Sequence, residues 1–224
     1  MNLGQATLNK DKKIPGVYRA SDNLFLIALD PPIPGFEDFM GIWLYRSDID
    51  FIVDTGPSST APQLIRTLER LNVSRLDYIL LTHIHLDHAG GIGEVAERFP
   101  ETPIVCHKGG IPHLVDSARL WHGTLKTLGA IGEAYGPIKN VEEKRLVKAD
   151  SFKSELVEPV ATPGHSAHHV SFLAGDCLFA GEAGGVYLEV EPGMDYLRPA
   201  TPPKFFLETS VESIDTLISK KPRK

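Results

Sequence analysis

The stretch "LLTHIHLDHAGG", Leu80 to Gly91, decides how this chain reads. An apolar run ends at Leu81, and His83, His85, Asp87 and His88 follow within six positions. In an extended segment, side chains two apart point the same way, so His83 and His85 face one centre. Asp87 and His88 lie beyond a turn or at a helix start, and swing toward a second. Gly90 and Gly91 come next, where the chain must bend closely beneath such a centre. Imidazole and carboxylate are borderline donors that suit Zn²⁺, Fe²⁺ or Mn²⁺ better than copper(I). The competing reading is a solvated polar loop between a strand and a helix. Against it, six of the nine histidines fall into two tight groups, this one and His165, His168 and His169.

Outward from the motif, "RLDYILLT" predicts the buried strand on whose end it sits, "GIGEVAERF" a helix and "TPIVCH" another strand. Upstream, "NLFLIAL", "GIWLYRSD" and "DFIVDTG" read as strands, the last two joined as a hairpin around Asp48 to Asp50. A Pro-rich loop, "DPPIPGFEDF", separates the first two of these strands. In "PSSTAPQLIRTLERLNV" the period becomes helical through Leu64, Leu68 and Leu71, with Ser59 or Thr60 as the cap. From Lys108 to about Ala149 the pattern predicts helix, with Leu114, Leu120, Trp121, Leu125, Leu128 and Ile131 as its apolar positions. Strands resume with "SELVEPVAT", "HHVSFLAG", "CLFAG" and "GVYLEV". A last amphipathic helix carries Leu207, Val211, Ile214 and Ile218 on one face. Alternating strands and helices define an α/β protein.

The second histidine group follows a strand: Pro163 and Gly164 turn the chain and present His165. His168 and His169 read as packing residues or as supports of ligands. In "AGDCLFAGEAGG", Asp176 reads as a turn residue, whereas Glu182 follows a strand end and is the better carboxylate ligand. Asp54 in "DTG" also lies at a strand end and reads as a residue that orients a ligand histidine.

With 224 residues, 42% hydrophobic and 23% charged, the composition is that of an ordinary globular protein. The net charge of −6 argues against a broad phosphate-binding surface, so no nucleic-acid partner is expected. No apolar run approaches the ~18 residues of a membrane span, and the first residues hold no apolar signal core. A cytoplasmic protein with no membrane partner is the expectation. Cys106 and Cys177, far apart and outside any CxxC pair, read as reduced.

Taken in order, Asp54, "HIHLDH", "TPGHS" and "GDCLFAGE" resemble the metallo-β-lactamase superfamily over nearly the whole chain. The resemblance implies a four-layer αββα sandwich, one domain over 1–224 with a helical insertion at about 108–149. It implies that His83, His85 and His165 hold a first metal, Asp87 and His88 a second, and Glu182 bridges them. Zn is the metal implied, with Fe or Mn as alternatives. Asp87 would orient the nucleophile and move a proton. Two departures matter: the bridging carboxylate is usually Asp, and the family's further histidine after a last strand has no counterpart beyond His169. A C-terminally shortened chain with a weaker second site is therefore expected. The function implied is a glyoxalase II-like metal-dependent hydrolase, using metal-bound hydroxide on a thioester, ester or lactone. The alternatives are a mononuclear iron persulfide dioxygenase and a metal-poor, non-catalytic binding member. A small-molecule substrate is expected, with Trp121 and His122 of the insertion as candidates to touch it, and a homodimer is compatible.

Overall fold

A computed structural model describes residues 9–10, 14–37, 39–191, 194–201 and 205–223. The chain divides into two compact units, Met1–Lys148 and Ala149–Lys224.

The first unit is built on an eight-stranded sheet whose strands lie side by side in chain order. They are β1 (Asn9–Lys10), β2 (Val17–Arg19), β3 (Leu24–Leu29), β4 (Met40–Tyr45), β5 (Phe51–Val53), β6 (Tyr78–Leu80), β7 (Ile104–Cys106) and β8 (Leu146–Lys148). The β4–β5 hairpin forms as expected, with Tyr45 opposite Phe51 and their rings stacked 4.9 Å apart. From β5 onward the pairing is parallel. Short strands buried on both faces carry continuous apolar runs rather than alternation, as β5 (FIV) and β7 (IVC) do.

The helices are α1 (Ala61–Arg70), α2 (Leu86–Ala89), α3 (Ile92–Arg98), α4 (Ile111–Val115), α5 (Ala118–Leu128) and α6 (Ala130–Tyr135). In α1, Leu64 and Leu68 are fully buried, as their spacing predicts. Thr60 does occupy the N-cap, but it makes no side-chain cap. A 3₁₀ turn over Ser58–Thr60 precedes the helix, and the Thr60 hydroxyl donates to the Pro57 carbonyl instead, at 2.9 Å.

The helical stretch expected from Lys108 to about Ala149 is shorter than predicted. The α-helix ends at Tyr135, a 3₁₀ turn covers Glu143–Arg145, and Leu146–Lys148 is strand β8, parallel to β7. The strand is only three residues long, too short to show a period of its own. Arg145 precedes it and donates to the carbonyls of Ala96, Phe99 and Thr102, closing the C-terminal end of α3. Within the stretch, α5 has no fully buried residue, and Leu128 and Ile131 are exposed. Gly123 sits in its interior, and a Cβ there would meet nothing within 4 Å. Gly123→Ala should therefore stabilise the protein by about 1 kcal/mol, the helix-propensity difference, read as a higher denaturant midpoint.

The second unit holds a three-stranded antiparallel sheet of β9 (Val157–Ala161), β10 (Val170–Ala174) and β11 (Cys177–Phe179), with β10 central. A separate hairpin joins β12 (Val186–Glu191) to β13 (Met194–Arg198), a strand the sequence pattern did not reveal. Gly175 at a φ of 61° makes the β10–β11 turn, and Asp176 is a turn residue there, as expected.

The last helix, α7 (Leu207–Ser219), is present but buries a face about a quarter turn away from the expected one, with Ile214 half-buried at its margin. It buries Ser210, Ser213 and Leu217, and leaves Leu207, Val211 and Ile218 exposed. The cause is close approach. Ser213 Oγ donates to the Pro163 carbonyl at 2.7 Å, and a Cβ on Gly164 would lie 3.0 Å from Ser210 Cα. Small side chains let the helix backbone reach the turn that presents His165, a gain larger aliphatic residues would prevent. Among the described residues, no helix is long and apolar enough to cross a membrane.

Candidate metal centre

In the first unit the site grows from two neighbouring strand ends. Parallel pairing sets Val53 beside Leu80, so Asp54 and the start of the motif leave the sheet side by side. The ends of parallel strands, where backbone pairing stops and loops begin, are where α/β folds gather ligands. Asp54 takes a φ of 65°, a left-handed conformation that Asp tolerates better than most residues. Its carboxylate turns back across the strand end. Oδ1 accepts the Thr82 backbone N–H at 2.8 Å, and Oδ2 accepts the Thr82 hydroxyl at 2.8 Å.

Those contacts determine the histidine tautomers. His88 Nδ1 lies 2.8 Å from Asp54 Oδ2, so it carries the hydrogen and donates it. The Thr82 hydroxyl has spent its one hydrogen on Asp54, so its oxygen accepts from His83 Nδ1 at 3.0 Å. In the neutral rings the lone pairs then reside on Nε2. Imidazole rings anchored through one nitrogen to an acceptor are oriented as metal ligands.

His85 is extended (φ −62°, ψ 148°) and caps α2, its carbonyl accepting the N–H groups of His88 and Ala89. The i, i+2 expectation holds, since the rings of His83 and His85 stand edge to face, 4.6 Å apart. His88 returns on the helix to bring its ring 4.2 Å from that of His83. Asp87 Oδ2 lies 3.8 Å from His88 Nε2 and stays partly exposed.

In the second unit, His165 is buried in the turn after β9, and its Nδ1 donates to the Ala200 carbonyl at 2.8 Å. Its Nε2 faces Glu182 Oε2 at 3.0 Å. With the ring neutral these are two acceptors in contact, and a cation must lie with them, either a proton or a metal ion. This donor set fits a divalent metal: imidazole Nε2 atoms pre-oriented through Nδ1, with carboxylate oxygens within reach. His169 is engaged at both nitrogens, by the Thr162 hydroxyl and by the Glu182 backbone N–H.

The sequence singles Thr82 out only weakly, although its hydroxyl holds the His83 ring. Its place directly before the first motif histidine is the only local signal. Trp121 packs partly buried against the core, and His122 Nδ1 donates to the Ala118 carbonyl of its own helix at 2.7 Å. Both cysteines are buried, and burial pushes the Cys106 thiol up to about 12, far from reactive.

A sequence profile of the metallo-beta-lactamase superfamily matches residues 42–224, and the chain belongs to that superfamily. The metallo-beta-lactamase fold-containing protein ST1585 of Sulfurisphaera tokodaii is 29% identical over 161 residues, covering 67% of this chain and 59% of that protein. A hydroxyacylglutathione hydrolase of Chromohalobacter salexigens is 33% identical, over 70% of this chain and 54% of its own length. Another, of Aliivibrio salmonicida, is 30% identical over 74% and 72%. The chain thus spans little more than half the length of the first two relatives. Among solved structures, ST1585 from Sulfolobus tokodaii superposes with a TM-score of 0.74 at 24% identity, covering 89% of this chain and 77% of that one. The FEZ-1 metallo-beta-lactamase of Legionella gormanii gives 0.56 at 16%, covering 88% and 72%. These likenesses show the metallo-β-lactamase fold.

Proposed function

We propose that the chain is a metal-dependent hydrolase of small acyl substrates, with thioesters first among thioesters, esters and lactones. One observation carries the reading: His165 Nε2 and Glu182 Oε2 meet at 3.0 Å while the ring's other nitrogen is committed to a carbonyl. His83 and His88 are held through Nδ1 in the same way in the first unit. Histidines prepared alike in each unit support metal ligation by His83, His85, Asp87 and His88 of the first unit and by His165 and Glu182 of the second. The relatives named hydroxyacylglutathione hydrolase support the thioester preference.

A divalent ion bound there supplies Lewis-acid activation of water and of the scissile carbonyl. The protein's own part is orientation and proton transfer. Asp54 and Thr82 hold the imidazoles in one tautomer, so no reorganisation is needed when charge develops. Asp87, partly exposed beside His88, takes a proton from the attacking water on its Oδ2 and passes it to the leaving group.

The test loads the purified protein with Zn²⁺, Mn²⁺ or Fe²⁺ and assays an acyl-glutathione thioester, a lactone and an aryl ester. The zinc-loaded protein is expected to hydrolyse the thioester, and His165→Ala to lose both metal and activity. Equal metal content in wild type, His83→Ala and His165→Ala would sink the assignment. Oxygen consumption by the iron-loaded protein, with no hydrolysis by any form, would replace it with an oxygenase.

A further inference from the structure

Glu182 reaches His165 from the turn Ala180–Gly181–Glu182, in which Gly181 has a φ of 56°. Buried side chains hold both ends of that turn. At one end the Glu182 backbone N–H, which can only donate, meets His169 Nε2 at 3.2 Å. The imidazole therefore carries its hydrogen on Nδ1 and donates it to Thr162 Oγ1 at 2.8 Å. Thr162 in turn passes its hydroxyl hydrogen to Ser171 Oγ at 2.9 Å, and Ser171 donates to the Ala180 carbonyl at 3.0 Å. Each group donates once and accepts once, all in one direction, and the path begins and ends on the same three-residue turn. His169, Thr162 and Ser171 are at most 1% exposed. The backbone reinforces the ring, since Thr162 N–H donates to the His169 carbonyl at 3.1 Å.

We propose that His169, through the Thr162–Ser171 relay, is a positioning residue that clamps the Glu182 turn and sets that carboxylate against His165. The inference rests on the proposed metal centre and adds a determinant of its affinity. An apolar packing role for His169 would need none of these hydrogen bonds. A clamp needs all of them, because losing one hydroxyl leaves a buried donor or acceptor without its match and frees the turn. Glu182 is a long carboxylate with three side-chain torsions, so fixing its backbone removes freedom that would otherwise weaken its hold on a metal.

The experiment measures Zn²⁺ affinity of the full chain by chelator competition, beside the unfolding midpoint of the metal-free protein. Thr162→Val keeps shape and removes only the hydroxyl; His169→Phe removes both imidazole nitrogens. Each should weaken Zn²⁺ binding by about 10- to 100-fold, the usual effect of losing a support of a metal ligand. His169→Gln, whose Oε1 can accept the Glu182 N–H, should recover most of that loss. In the metal-free wild type, ¹⁵N shifts of His169 should mark the Nδ1–H tautomer. Wild-type affinity in both Thr162→Val and His169→Phe would overturn the clamp. His165→Ala separates the two ideas: if it also binds Zn²⁺ like wild type, the metal centre itself is wrong, and if it alone loses Zn²⁺, only the clamp is.

Discussion

Asp54→Asn should cut metal affinity and hydrolytic activity by about 10- to 100-fold while leaving the fold intact. The substitution is isosteric, and Asn tolerates the left-handed φ of 65° as well as Asp does. An amide oxygen in the place of Oδ1 still accepts the Thr82 N–H. The amide nitrogen then occupies the place of Oδ2, 2.8 Å from His88 Nδ1, where a donor now faces a donor. His88 relieves this by moving its hydrogen to Nε2, and so loses the lone pair a metal needs. The same amide nitrogen faces the Thr82 hydroxyl, which must turn and no longer accepts from His83 in the same way. Metal analysis after dialysis, ¹⁵N shifts of His88 and a thermal melt check the three parts separately. Zinc content and a His88 tautomer like those of wild type would show that Asp54 does not set the ring.

Gly90→Ala should be strongly destabilising, at or above the upper end of the ~1–3 kcal/mol typical of overpacking. Gly90 has ordinary helical angles (φ −58°, ψ −40°), so the need is for space, not for an unusual backbone. A Cβ there would overlap the Leu86 carbonyl oxygen and lie 2.9 Å from the Ser58 nitrogen and 3.0 Å from Pro57 Cα. All three are backbone atoms and cannot rotate away. The loop holding Pro57 and Ser58 is tied to the motif by Thr55 N–H donating to the His88 carbonyl at 2.7 Å and Gly91 N–H to the Gly56 carbonyl at 2.8 Å. Forcing the two segments apart strains both links and shifts His88, so metal affinity falls together with stability. Gly123→Ala is the internal control, the same methyl group with the opposite sign. A Gly90→Ala denaturant midpoint within error of wild type would refute the close approach.

Much of this is legible in the sequence, because it depends on local chemistry. "HIHLDH" after a strand singled out the candidate ligands of the first unit, since periodicity alone puts His83 and His85 on one side. "TPGHS" and the strand-end position of Glu182 singled out the candidates of the second, and the ordered set was enough to recognise the superfamily. The strands bracketing the motif were readable because their apolar runs are bounded by turn residues.

Tertiary structure decided what depends on contacts between segments distant in sequence. Strand β8 was invisible because three residues carry no period, and it exists only through parallel pairing with β7. Helix α7 showed an apolar face at the right spacing, yet it buries serines, because approach to the Pro163–Gly164 turn outweighs aliphatic burial there. The tautomers of His83, His88 and His165 also lay beyond the sequence. They depend on Thr82, on Asp54 28 or more residues from its partners, and on the Ala200 carbonyl. Sequence by itself determined which side chains have metal chemistry. The fold decided which nitrogen of each ring is left to use, because a hydrogen bond to one imidazole nitrogen determines the state of the other.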